Sequence, residues 1–180
     1  MLKRLLQRLF KRNPQESFEN NLDSSVELSQ APAPAIDYPI PVEDVPDLPD
    51  PGCRTNYVQC VSTSGMHKMA YHEWGDPNNQ RVLICVHGLT RRGSDFTVLA
   101  KAMSDRYRVI CPDIVGRGDS DWLKNPMLYG IPQYVSDMNA LFAQLGLREV
   151  DWFGTSMGGL IGTFMASQKN SPIKKMILND

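Results

Sequence analysis

Three short strand-like runs punctuate the chain from residue 81 onward: residues 81–86 (RVLICV), 107–111 (YRVIC) and 149–153 (EVDWF). In the first, every position after Arg81 is apolar, a pattern a strand carries when both of its faces are covered. Helical spacing fills the gaps. Residues 95–103 place Phe96, Leu99, Ala100 and Met103 on one face. Ile131, Tyr134, Val135, Met138, Leu141, Phe142 and Leu145 then recur with the period of an amphipathic helix, with Pro132 near its start and Gly146 at its end. A further helix face (Leu160, Ile161, Phe164, Met165) precedes a fourth run at 173–178 (IKKMIL). Strands alternating with helices predict an α/β fold on a mostly parallel, doubly wound sheet with right-handed crossovers. Upstream, residues 57–62 and 66–74 alternate about a turn at Ser64-Gly65, which predicts an antiparallel hairpin.

The first 52 residues follow different rules. Residues 1–12 carry five bases and no acid, with Leu2, Leu5, Leu6, Leu9 and Phe10 on one helical face. Such a segment suits weak contact with an anionic membrane surface or a partner. Residues 13–52 hold nine acids and no base, and eight of the chain's 13 prolines precede Cys53. That composition predicts an extended linker without a core of its own. The expected division is therefore 1–12 (basic amphipathic segment), 13–52 (linker) and 53–180 (folded domain). A net charge of −1 argues against a protein that coats nucleic acid.

The chain has no apolar run of membrane-spanning length, and charges break up residues 1–12 too early for a secretory signal. None of Cys53, Cys60, Cys85 and Cys111 forms a C-x-x-C pair. Cys85 and Cys111 lie in apolar runs and are expected to be buried, reduced thiols in a cytoplasmic protein. His67, His72 and His87 do not stand at zinc-ligand spacings from the cysteines, so neither a metal nor an organic cofactor is expected.

The chemistry-bearing segments follow the strands. Gly154-Thr155-Ser156-Met157-Gly158 matches G-x-S-x-G between a strand and a helix, where a serine on a strained turn needs glycine two residues before and after it. His87-Gly88-Leu89 follows residues 81–86, and its turn places the Leu89 N–H, with that of Met157, to form an oxyanion hole. His87 is read as ordering this loop. Asp113-Ile114-Val115-Gly116-Arg117-Gly118-Asp119-Ser120 follows the next strand, and Gly116 and Gly118 suggest a tightly folded wall of the pocket.

In this order, HGLT, DIVGRGDS and GTSMGG resemble the α/β-hydrolase superfamily, most closely bacterial esterases and carbon–carbon-bond hydrolases. The resemblance covers residues 57–180. It implies an eight-stranded sheet with the hairpin at its antiparallel edge, Ser156 as nucleophile, and Leu89 and Met157 as backbone oxyanion donors. Serine at the elbow separates the chain from the branches with a carboxylate nucleophile. The family order is serine, acid, histidine, yet no histidine follows Ser156 and the usual acid is missing. Asp180 resembles an alternative acid position used by some members. The expectation is thus the N-terminal part of a serine hydrolase, interrupted after about the sixth strand and inactive or nearly so alone. Its substrate would be a small ester or related acyl compound, or one cleaved at a C–C bond. The alternatives are a non-catalytic binding module and a hydrolase half carried by a membrane- or partner-docking terminus.

Overall fold

The computed structural model describes residues 52–180. The expectations for residues 1–12 and for almost all of 13–52 fall outside the described residues. The elements are β1 (Arg54–Ser62), β2 (Gly65–Trp74), β3 (Val82–Val86), α1 (Thr97–Met103), β4 (Arg108–Pro112), α2 (Ile131–Leu145), β5 (Val150–Thr155), α3 (Met157–Ala166) and β6 (Ile173–Asn179). Single 3₁₀ turns stand at Gly93–Phe96 and Pro126–Leu128, the first occupying the expected opening of α1.

The described strands form one sheet in the order β1-β2-β4-β3-β5-β6. β2 pairs antiparallel with β1 and β4, while β3 runs parallel to β4 and β5, and β5 to β6. The parallel core and the antiparallel edge hairpin are both as the alternation predicts. The hairpin is longer than the pattern indicates, because Arg54, Thr55 and Asn56 continue the β1 ladder against Glu73, His72 and Tyr71.

Period-two geometry divides the apolar runs between two layers. Val82, Ile84 and Val86 face a core with Val58, Met69, Met138, Leu141, Trp152 and Ile161, covered by α2 and α3. Leu83 and Cys85 face the other layer, with Trp74, Phe96, Ala100, Val109 and Cys111 under α1. All five residues of β3 are buried, as a strand covered on both faces requires. α2 carries Pro at its start and ends on Gly146 at φ 63°, whose N–H closes onto the Phe142 and Ala143 carbonyls.

A buried polar cluster ties the hairpin to α2. His67 Nε2 lies 3.0 Å from Asp137 Oδ2, and Gln133 Nε2 donates to Asp137 Oδ1 at 2.7 Å. Cys60 faces His67 across the hairpin ladder. Sulfur, nitrogen and oxygen donors of Cys60, His67 and Asp137 fall within 4.8 Å of one another. This corrects the spacing argument: distance along the chain is no guide here, because strand pairing sets Cys60 opposite His67 and α2 supplies Asp137. Burial raises the Asp137 carboxyl, opposed by the bonds from His67 and Gln133. Burial, then the neighbouring Asp137, push the Cys60 thiol up to about 12, so it stays protonated. Cys85 and Cys111 are buried free thiols, as expected.

Candidate active site

β5 hands the chain to α3 through one residue, Ser156, whose φ of 47° and ψ of −110° lie outside helix and strand geometry. Its neighbours hold that conformation. The Ser156 N–H donates to the Asn179 carbonyl at 2.8 Å, and the Ser156 carbonyl accepts from Gly159 N–H at 2.8 Å and Leu160 N–H at 3.1 Å. A conformation this sparsely populated costs of order 1–3 kcal/mol and persists only when its surroundings over-determine it. The close approach depends on glycine. A Cβ on Gly154 would lie 2.6 Å from the Gly158 carbonyl carbon, and one on Gly158 would lie 2.6 Å from that of Val86. Trp152 Nε1 donates to the Gly158 carbonyl at 3.1 Å, locking the first turn of α3 onto β5. The result is an exposed serine at the C-terminal edge of the sheet, beside the N-terminal end of α3.

The loop after β3 comes beside it. Gly88 is buried, and a Cβ on it would lie 3.8 Å from the Ser156 Cβ. His87 is buried beneath the loop with both ring nitrogens engaged. Nε2 accepts the Ile114 N–H at 2.9 Å, which leaves the proton on Nδ1 to donate to the Gly88 carbonyl at 2.7 Å. Burial, outweighing the bond to Gly88, lowers the His87 pKa. A neutral imidazole with both nitrogens occupied orders backbone and has no free site for a substrate proton. Leu89 is 60% exposed, so apolar packing does not hold it.

The loop after β4 folds around Asp113. Its carboxylate accepts Gly93 N–H at 2.6 Å and Asp119 N–H at 2.9 Å, and lies 3.1 Å from His72 Nε2. Gly116 and Gly118 have φ of 82° and 51°, and a Cβ at Gly118 would fall on the Asp113 carboxylate. Arg117, between them, reaches the Leu89 carbonyl with Nε at 3.0 Å. Asp180 follows Asn179, the residue whose carbonyl receives the Ser156 N–H.

The His72–Asp113 contact makes a pH prediction. The hydrogen bond to Asp113 raises the His72 pKa, against burial. Burial alone would raise Asp113, but His72 and the two N–H donors bring it below its ordinary value. A histidine raised on folding adds stability that is fully present below its unfolded pKa of about 6.5 and fades as pH climbs through the higher folded value. The stability advantage of wild type over His72→Gln should therefore be greatest in mild acid and shrink towards alkaline pH in denaturant titrations. An advantage that grows with pH would contradict this.

Among the described residues, no side-chain nitrogen is bonded to the Ser156 hydroxyl. His67 and His72 both lie on β2, facing Asp137 and Asp113. A shallow concavity of about 480 Å³ lined by Phe142, Gly146, Leu147, Arg148 and Pro172 is remote from this chemistry, at the opposite end of β5 and β6 from Ser156.

The sheet order and the elbow fit one fold family, and the family model described as "alpha/beta hydrolase fold" matches residues 81–180. The chain belongs to the alpha/beta hydrolase fold family. It is 58% identical over 127 residues to a 3-hydroxybutyrate-oligomer hydrolase of Cupriavidus necator, covering 71% of this chain and 43% of that protein. An alpha/beta hydrolase of Novosphingobium aromaticivorans superposes with a TM-score of 0.65 at 35% identity, covering 72% of this chain and 44% of that one. A thioesterase domain of the curacin biosynthetic pathway aligns at 25% identity and a TM-score of 0.62, over 69% of this chain and 46% of that domain. The chain thus spans less than half the length of these relatives.

The elbow and both flanking loops of this alpha/beta hydrolase are legible in the sequence; three contacts around them are not. Hairpin symmetry about Thr63-Ser64 could have paired Cys60 with His67. Nothing local announces Asp113 with His72 or Arg117 with Leu89, since each contact crosses between separate loops and strands. Among the described residues, no helix is long and apolar enough to cross a membrane.

Proposed function

We propose that Ser156 is the nucleophile of a serine hydrolase that cleaves carboxylic esters, with short oligo-esters of 3-hydroxy acids as the substrate class. The observation that carries this reading is the strained, exposed Ser156 beside the Gly88-Leu89 turn. The likeness to the Cupriavidus necator protein supports the substrate class. Ser156 Oγ attacks the acyl carbon as a general base takes its proton. The Leu89 and Met157 N–H groups receive the charge that develops on the carbonyl oxygen, each such donor contributing about 10²–10³ in rate. The proton passes to the departing alkoxide, leaving an acyl-serine, and water then releases the acid and restores Ser156.

The base is none of the three histidines of this chain: His87 is doubly engaged, and His67 and His72 are turned to Asp137 and Asp113. In the whole protein we assign that role, with its partner acid, to residues beyond those described. Asp180, one residue beyond Asn179, which pairs with Thr155 at the end of the β5–β6 ladder, is a second position for the acid. A fluorophosphonate probe separates the parts of this reading. The full-length protein should be labelled at Ser156 and the 180-residue chain hardly at all. No labelling of the full-length protein would overturn the serine nucleophile, and strong labelling of the short chain would overturn the external base.

A second reading rests on the unbonded Ser156 hydroxyl, a pocket that holds an acyl ligand without turnover. Saturable binding of a 3-hydroxybutyrate oligomer by the full-length protein, with no released monomer, would favour it.

A further inference from the structure

We infer that Arg117 is a positioning residue for the oxyanion hole, setting the direction of the Leu89 N–H by gripping the carbonyl on the far side of the same residue. This rests on the reading of Ser156 and Leu89 given above.

An oxyanion donor works only if its N–H points where the charge develops, and a side chain packed into a core normally supplies that rigidity. Leu89 has no such support, because its side chain is 60% exposed. Its two flanking peptide groups are instead held through their carbonyls. On the N-terminal side, the Gly88 carbonyl accepts His87 Nδ1–H at 2.7 Å and Arg91 N–H at 3.2 Å. That peptide also carries the Leu89 N–H, which points away from its own carbonyl in a planar trans unit. On the C-terminal side, the Leu89 carbonyl accepts Arg117 Nε–H at 3.0 Å. With both peptide planes fixed, the two dihedrals of Leu89 have little freedom.

Arg117 is itself a rigid strut. Nη1 donates to the Val115 carbonyl at 2.8 Å and to the Tyr134 hydroxyl at 3.1 Å. The guanidinium sits 5.9 Å from the Tyr129 ring centroid and 5.2 Å from that of Tyr134. Tyr134 is buried on α2, so the anchor reaches the core. The planar fork matters here. A lysine ammonium keeps the charge but cannot hold three acceptors in one plane. Glycines on either side, at φ 82° and 51°, bring the backbone of residue 117 into this corner.

The experiment uses the full-length enzyme and a 3-hydroxybutyrate oligomer, with a trifluoromethyl ketone analogue as a mimic of the oxyanion. Arg117→Lys and Arg117→Ala should lower kcat by about 10- to 100-fold, with KM nearly unchanged, because a misaimed donor affects the transition state and not the bound ester. The affinity for the ketone should fall in proportion to kcat/KM. Guanidinium ion added to Arg117→Ala should restore part of kcat, an effect that loss of fold stability would not produce. Tyr134→Phe, which removes one anchor of the strut but leaves Arg117 in place, should give a smaller loss of the same kind. Unchanged kcat in a folded Arg117→Lys enzyme would overturn the inference, as would a loss that appears only in KM. An inactive wild-type enzyme would instead refute the proposed esterase function.

Discussion

Gly158→Ala should destabilise the domain by about 2–4 kcal/mol, although glycine-to-alanine changes inside helices ordinarily stabilise by up to about 1 kcal/mol. The added Cβ would sit 2.6 Å from the Val86 carbonyl carbon, well inside contact distance. Val86 cannot yield. It is buried at the end of β3 and paired with Gly154 of β5, so its retreat would break a ladder in the middle of the sheet. The remaining relief is for α3 to slide outward, pulling Ser156 with it. A displacement of ~1 Å at a reacting group costs on the order of 10²-fold in rate, so activity should fall as well. Gly159→Ala supplies the control. There the new methyl would be crowded by the Leu178 Cδ2 atom at 3.2 Å, the tip of an exposed and adjustable side chain, and would meet the Gly154 carbonyl oxygen at 3.5 Å, an ordinary contact distance. Urea unfolding of both variants checks the argument, and equal losses of stability would show that the contact with Val86 is not the cause.

In the full-length hydrolase proposed above, Ser156→Gly should abolish ester hydrolysis and strengthen the fold at the same time. Loss of a catalytic serine costs about 10⁶ in kcat in serine proteases, and a loss of that order is expected if Ser156 is the proposed nucleophile. The stability change has the opposite sign. At φ 47° a serine carries a Cβ where the backbone leaves it little room, and glycine meets no such obstacle. The gain should be about 1 kcal/mol, with Ser156→Ala showing the same catalytic loss and little or none of the gain. Thermal melts of the two variants beside wild type measure the difference. If alanine proves as stabilising as glycine, loss of the hydroxyl and not relief of backbone strain accounts for the gain.

Much of this arrangement was legible in the chain. The unbroken apolar run from Val82 to Val86 announced a strand covered on both faces, and β3 is buried throughout. The spacing from Ile131 to Leu145, with Pro132 and Gly146 as punctuation, gave α2 its correct bounds. Both successes rest on local physics, namely periodicity and terminal geometry. The glycines around Ser156 were equally readable, because a close backbone approach leaves a residue-type signature. What escaped was long-range. No local pattern places β4 between β2 and β3, and only that insertion brings His72 to Asp113. The role of Arg117 was hidden for the same reason, since its acceptor Leu89 belongs to a loop that follows a different strand. The Cys60–His67–Asp137 cluster combines one readable step, the hairpin register, with one unreadable step, the docking of α2.

The insertion of β4 also bears on how the chain is made. On the ribosome β1 and β2 emerge first and can zip together at once, but an isolated two-stranded hairpin is marginal in water. Among the described strands its other neighbour in the sheet is β4, synthesised after β3 and α1, about 2–7 s later at ordinary elongation rates. Once made, β3, apolar along its whole length, has both edges unpaired until β4 or β5 follows. Because β4 pairs with β2 on one side and with β3 on the other, it is the strand that joins the early hairpin to the parallel part of the sheet and covers one edge of β3.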